Sequence, residues 1–355
     1  MKQSLSVGFW QGKKVFLTGH TGFKGSWLAL WLHSLGAEIY GYSLIQDDEQ
    51  KARSNMLASK LTQEAGDICD ASRVLQAMQN FQPHIVIHLA AQSLVRLSYR
   101  EPLATFQSNV MGTACVLDAV AKTPSVRCAL IITTDKCYED QHWPWGYRET
   151  DRLGGYDPYS ASKAAAELTC AAWRSSFLAE KGVTVMSARA GNVIGGGDFA
   201  EDRLIPDMVR AFSAGRPVHL RNPQAVRPWQ HVLEPLAGYM HLIRLACEGR
   251  DVAGAWNFGP DDSQVQTVEW MTEHFSEAWG TSLHWTRDDS PQPHETDVLL
   301  LDCSKARRLL GWRSALNAGQ ALNWTAEWYR RVLAGESPVD LSMEQIRAYA
   351  RLFEE

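Results

Sequence analysis

The chain has 355 residues, 45% of them hydrophobic and 21% charged, with a formal net charge of -5. This is the composition of a folded globular protein long enough for a large core and two lobes. It excludes general electrostatic attraction to nucleic acid or acidic membranes, a membrane span of roughly 20 apolar residues, and, from the short polar stretch Met1–Gly12, a secretory signal.

The first predicted strand is Val15–Thr18, apolar or β-branched throughout, the profile of a buried parallel strand. It runs into a turn with glycines at Gly19, Gly22 and Gly25, then into Ser26–Leu32, apolar at helical spacing and stopping near Gly36. Strand, glycine turn and helix together predict a dinucleotide site. One glycine allows the tight turn, one lets a pyrophosphate approach the backbone, and one lets helix and strand pack closely. Ala37–Tyr42 reads as a second strand, followed by Ser43, Leu44, Asp47 and Asp48 with no arginine at its end. Lacking an arginine for a 2′-phosphate, that end favours NAD over NADP.

A short strand leads to Asp67, placed either to accept from an adenine amino group or to cap a turn. His84–Gln92 is a strong strand ending in small residues, which leave room for a ligand. Asn109–Val120 reads as a helix with an apolar face at Val110, Ala114, Leu117 and Ala121. Ala129–Thr133 is the next central strand, and Thr134-Asp135-Lys136-Cys137-Tyr138 emerges from its end. The aromatic segment with Trp143, Trp145 and Tyr147 is either a lid or a surface loop capped by its own rings.

Asp157 and Pro158 suit the N-cap and first position of a helix that places Tyr159 and Lys163 on one face. The helix continues through Ala164, Ala165, Ala166 and Leu168, small and apolar enough for a dimer interface. Val183–Ala188 is a further strand with a glycine-rich exit, Arg189–Asp198, and Leu204–Ala214 is helical. Arg221 and Arg227 flank a proline-bounded loop with Trp229, suited to a diphosphate and a base or simply to solvent. Trp256–Gly259 is a short strand, and the rest is mostly amphipathic helix with Leu309–Trp312 inside it.

The predicted fold is α/β: a Rossmann-type, doubly wound parallel sheet with a smaller, discontinuous C-terminal substrate lobe. Residues 10–195 plus roughly 228–258 form the first part, and roughly 196–227 and 259–355 the second. Seven cysteines without a Cys-x-x-Cys pair suggest neither a disulfide framework nor a zinc site, and fit the reducing cytoplasm. Asp47-Asp48 and Asp261-Asp262 lack convergent partners, so no metal is expected.

A tyrosine with an ordinary pKa of about 10 is a poor base at neutral pH. A lysine one turn away and a nearby nicotinamide cation favour its phenolate. Tyr-x-x-x-Lys beside a glycine turn, with a threonine ending an intervening strand, therefore points to hydride transfer.

These motifs resemble the extended short-chain dehydrogenase/reductase superfamily of NAD-dependent epimerases and dehydratases. Within it the chain looks like the CDP-sugar branch of the nucleotide-sugar 4,6-dehydratases. The resemblance rests on Thr18–Gly25, His88–Gln92, Leu94–Tyr99, Thr133–Tyr138, Gly154–Lys163, Arg189–Asp198, Arg221–Val232 and Leu301–Ala306. It implies a redox-neutral dehydration of CDP-D-glucose to CDP-4-dehydro-6-deoxy-D-glucose, feeding surface polysaccharide such as O-antigen in lipopolysaccharide. Tyr159, with Lys163 and Thr134, would take the 4-hydroxyl proton. Asp135 would act as acid and Lys136 as the C5 base, where related enzymes carry a glutamate. Lys136 also reads as an electrostatic partner of Asp135, whose pKa a neighbouring cation lowers.

By the same resemblance NAD would be held by Gly19, Thr21, Gly22, Phe23, Lys24, Gly25, Asp67, Ile68, Leu89, Ala90, Ala91, Asn109, Tyr159 and Lys163. The nucleotide sugar would meet Gln92, Arg96, Asn192, Arg203, Arg221, Arg227 and His294. A homodimer or higher homo-oligomer is implied. The competing readings are an epimerase or reductase, or an NAD-binding regulator without catalysis. Intact Tyr159 and Lys163 speak against the last.

Overall fold

The computed structural model describes residues 5, 7–261, 264–282, 285–288 and 298–353. His294 and Asp262 lie outside the described residues. Seven parallel strands make the central sheet: β1 (Lys14–Thr18), β2 (Glu38–Ser43), β3 (Thr62–Ala65), β4 (Ile85–His88), β5 (Cys128–Ile132), β6 (Thr184–Ala190) and β7 (Gly254–Phe258). Their order is β3-β2-β1-β4-β5-β6-β7, so the winding reverses between β1 and β4. In such sheets ligands bind outside the strand ends at that reversal.

Both faces of the sheet are covered, which is why its inner strands are continuously apolar. Val15, Leu17, Ile85, Ile87, Leu130 and Met186 point into one core with the Phe23–Ser34 and Leu233–Cys247 helices. Phe16, Val86, Ala129, Ile131 and Val185 point into the other with Ala71–Phe81 and Thr113–Ala121. β7 adds the last 254–258 segment to the sheet edge beside β6, and the C-terminal helices Ala318–Leu333 and Pro338–Arg351 pack on the first core.

Two expected helices differ. The helical path near Asn109 starts earlier, and a π-helical segment, Gln107–Gly112, interrupts it. Wider turns rotate the buried face, so Val116, Leu117 and Val120 are buried while Val110, Ala114 and Ala121 are only half-buried. Gly311 is not inside a helix: at φ +69° it ends the Ala306–Leu310 turn, a backbone state that favours glycine. Among the described residues no helix is long and apolar enough to cross a membrane. No group of three potential metal ligands occurs among them either.

Candidate active site

A cleft of about 1110 Å³ opens at the carboxyl ends of the strands. Its floor at one end is the glycine turn. Gly19 has φ +73°, and a Cβ there would lie 2.6 Å from Ala90 N. A Cβ on Gly25 would lie 2.0 Å from Gly19 O, so no side chain fits between turn and helix. Gly22 is the N-cap of the Phe23–Ser34 helix and uses no side chain there. The helix start therefore faces the cleft unblocked, and this cradle fits the pyrophosphate of a dinucleotide.

Thr21, Phe23 and Lys24 line the cleft with the glycines, and Ile68, Leu89, Ala90 and Ala91 line its wall. Asp67 also lines it, yet its carboxylate accepts from Cys69 N at 2.9 Å, so it serves the turn as well as facing the cleft. Asn109 is different. It is buried behind the wall, where it accepts from Gln92 N at 2.9 Å and donates to Gln92 O and Ser162 Oγ. Its contact is with the loop rather than the cleft. Arg53, not anticipated, donates to Thr21 O at 3.0 Å and Gly197 O at 2.7 Å. It comes from the helix after β2, which no strand-end pattern marks, and its guanidinium is engaged with carbonyls.

Mid-cleft, β5 delivers Thr134 to the N-cap of a single 3₁₀ turn, Asp135–Cys137. Thr134 Oγ1 lies 3.0 Å from Asp135 Oδ1. Asp135 Oδ2 is buried with no hydrogen-bond partner among the described residues, and Gly191 leaves the space beside it open. Burial raises the Asp135 pKa, outweighing Lys136, the Thr134 hydrogen bond, Arg227 and Lys24, all of which lower it. The expected depression by Lys136 is thus present but overruled by desolvation. Lys136 is half-buried and lines the cleft.

The Tyr159 helix starts as its residues dictate: Asp157 accepts from Ser160 N at 2.9 Å and Pro158 takes the first turn. Lys163 Nζ donates to Ile132 O at 3.1 Å. Burial pushes the Tyr159 phenol up to about 12, and the Thr134 hydrogen bond pulls the other way. Burial brings Lys163 down to about 8. Desolvation, the second cationic neighbour Arg203 and Lys163 together bring Lys24 to about 8, against Asp135 and Asp198.

The far end of the cleft carries four arginines set among carboxylates. Arg203 forks onto Asp198 at 2.9 and 3.1 Å, and Arg96 and Arg221 lie 3.4 and 3.9 Å from Asp202. Arg227 is buried and, with Asn192, also lines the cleft. Planar guanidiniums held by carboxylates suit a diphosphate. Gln92 lines the cleft, but its side chain bonds Leu94 N, Leu94 O and Thr105. It shapes the loop it sits in. The aromatic segment divides: Tyr147 is buried and lines the cleft, stacked on Tyr138 at 5.1 Å, whereas Trp145 is exposed. Asp198 and Asp202, which hold the arginines, escaped the sequence reading because an aspartate in a loop carries no spacing signal.

The chain matches the GDP-mannose 4,6 dehydratase family over residues 16–323. It belongs to that family. The matched span takes in all seven sheet strands save the first two residues of β1, and every cleft residue described above. Among family relatives, CDP-glucose 4,6-dehydratase of Salmonella typhimurium is 45% identical, over 97% of this chain and 98% of its own. A dTDP-glucose 4,6-dehydratase of Xanthomonas campestris is 29% identical over 74% and 77%. Among solved structures, a UDP-glucose 4-epimerase of Thermotoga maritima superposes with TM-score 0.80 at 21% identity, covering 90% of this chain and 99% of its own. A dTDP-glucose 4,6-dehydratase of Streptomyces venezuelae, solved with NAD bound, gives 0.78 at 23%, covering 92% and 99%. These two likenesses establish the shared fold.

Proposed function

We propose that this protein is an NAD-dependent nucleotide-sugar 4,6-dehydratase acting on CDP-D-glucose to give CDP-4-dehydro-6-deoxy-D-glucose. The observation that carries the reading is Asp135, buried, with a raised pKa and an oxygen unpartnered among the described residues, hydrogen-bonded to Thr134 in the cleft that Tyr159 also lines. An epimerase needs the tyrosine and lysine without an acid–base pair after the threonine. A neutral carboxylic acid beside it is what elimination of a hydroxyl requires. The 45% identity to a CDP-glucose enzyme supports the cytosine nucleotide.

When bound, NAD supplies the oxidation at C4 and the matching reduction at C6. Gly19, Gly22 and Gly25 would hold its pyrophosphate, Asp67 and Ile68 its adenosine, and Tyr159 and Lys163 its nicotinamide ribose. Tyr159 Oη takes the proton of the sugar 4-hydroxyl, with Thr134 in hydrogen-bond contact. Lys136 removes the proton at C5, acidified by the 4-keto group. Asp135 protonates the departing 6-hydroxyl. Arg203, Arg221 and Arg227 orient the diphosphate, with Asn192 and Arg96 beside them. In this reading the dinucleotide part is 10–195 plus about 228–258, the rest is the sugar-nucleotide lobe, and the enzyme works in the cytoplasm. Incubation with CDP-glucose in deuterated water should give a product one water lighter with deuterium at C5. Unchanged CDP-glucose beside dehydrated dTDP- or UDP-glucose would overturn the nucleotide assignment. No dehydration of any would overturn the reaction.

The enzyme also pairs with itself in this reading. Leu103 is 85% exposed and Leu168 61% exposed, on helical segments that pack side by side together with Met111 and Phe177. Apolar side chains concentrated on one face mark an interaction surface. The double variant Leu103→Arg/Leu168→Arg should sediment as a monomer where wild type sediments as a dimer or larger. A monomeric wild type would refute the assignment.

A further inference from the structure

Tyr159, Lys163 and Glu167 are spaced by four residues and share one face of the Pro158–Trp173 helix. Two of them meet the cleft. Glu167 lies one turn further along the same stripe, against the sheet, and is 4% exposed. A carboxylate there needs partners, and it has three, one from the exit of β5 and two from β6. One oxygen takes the Thr133 hydroxyl. The other takes Ser187 Oγ at 2.6 Å and Arg189 Nη2 at 2.8 Å. Arg189, equally buried, continues the path: Nη1 donates to Tyr138 Oη at 2.8 Å, and the guanidinium lies 4.8 Å from that ring's centre. Tyr138 Oη in turn donates to Asn257 Oδ1 at 2.7 Å.

The two ends of this path are the two ends of one short segment. Thr133 immediately precedes Thr134-Asp135-Lys136, and Tyr138 closes it. The turn carrying the acid and base is therefore held at both ends, and both ties run through one ion pair to the helix that carries Tyr159 and Lys163. We infer that the buried Glu167–Arg189 pair is a positioning clamp that fixes the elimination groups, Asp135 and Lys136, in register with the oxidation pair, Tyr159 and Lys163. It touches no substrate. It acts by fixing how far the turn sits from the helix, and misplacement of reacting groups by about 1 Å can cost roughly 10²-fold. The inference rests on the dehydratase reading above.

The test is steady-state kinetics of purified full-length Tyr138→Phe and Glu167→Gln against CDP-, dTDP- and UDP-glucose, with thermal melts alongside. Tyr138→Phe keeps the ring beside Arg189 and removes both hydroxyl ties. Its kcat should fall about 10-fold or more with KM unchanged. Reduced cofactor should also accumulate during turnover, seen as near-ultraviolet absorbance, because elimination lags oxidation. A merely structural pair would lower the melting temperature without moving kcat or the level of reduced cofactor. Variants that melt earlier yet turn over like wild type, with no accumulation, overturn the clamp. Should Glu167→Gln not fold, Tyr138→Phe decides alone. A wild type that dehydrates none of the three sugars removes the functional reading, and the clamp with it.

Discussion

Asp135→Asn is expected to stop the reaction halfway. The variant keeps the hydrogen bond from Thr134 and the shape of the side chain, and loses only the proton that leaves with the 6-hydroxyl. General acid catalysis of this kind contributes about 10²–10⁴-fold, so product formation should fall by that factor. Oxidation at C4 should survive. Mixing the variant with CDP-glucose should thus give a rapid rise in reduced-cofactor absorbance that decays slowly or not at all. A variant with wild-type turnover would remove Asp135 from the mechanism.

The same residue predicts two pH effects. Its folded pKa is raised by burial. Burial therefore favours the neutral acid more than water does, and kcat should fall on the alkaline side as that proton is lost. For stability, a raised folded pKa contributes fully below the unfolded value, about pH 4, and the contribution is lost as pH rises through the folded value. Asp135→Asn should melt above wild type at alkaline pH, and the gap should close toward pH 4. A functional group that destabilises its own fold is the expected signature of an acid held dry.

The strands were legible because burial on both faces demands unbroken apolar runs such as Val15-Phe16-Leu17 and Ile85-Val86-Ile87. The helix of Tyr159 was legible because Asp157 and Pro158 are local signals with local causes. The turn at Gly19–Gly25 was legible because backbone and helix approach too closely for any Cβ. What escaped the reading depends on partners distant in sequence. The π-helical segment at Gln107–Gly112 has no periodic signature, and it moved the buried face off Val110. The sign of the Asp135 shift could not come from its neighbour Lys136, since the decisive contribution is burial by the folded chain. Asn109 and Gln92 carry the residue types of ligand contacts but bond mainly to each other and to their loop.

Tyr159→Phe carries the other large effect, and its argument runs through charge. In the protein alone the phenol sits near 12 because burial disfavours its anion, and Lys163 near 8 because burial disfavours its cation. Neither group is poised for base catalysis by itself. The phenol becomes so when Lys163 is charged: the ammonium favours the phenolate, and the phenolate in turn holds Lys163 as ammonium. Thr134 pulls the phenol pKa down through its hydrogen bond, and Arg203 adds a further cation at the same point. The pair should therefore titrate together, giving an acidic limb in kcat that belongs to both residues. Tyr159→Phe removes the acceptor of the 4-hydroxyl proton. It should lower kcat by about 10²–10⁴-fold and leave CDP-glucose binding by calorimetry unchanged, since Arg203, Arg221 and Arg227 are untouched. Unlike Asp135→Asn, it should show no rise in reduced-cofactor absorbance, because it fails before oxidation. The two variants thus separate the steps: one stalls before the cofactor is reduced and the other after. If both stalled at the same point, Tyr159 and Asp135 would share one step, and the division of labour between helix and turn would be wrong.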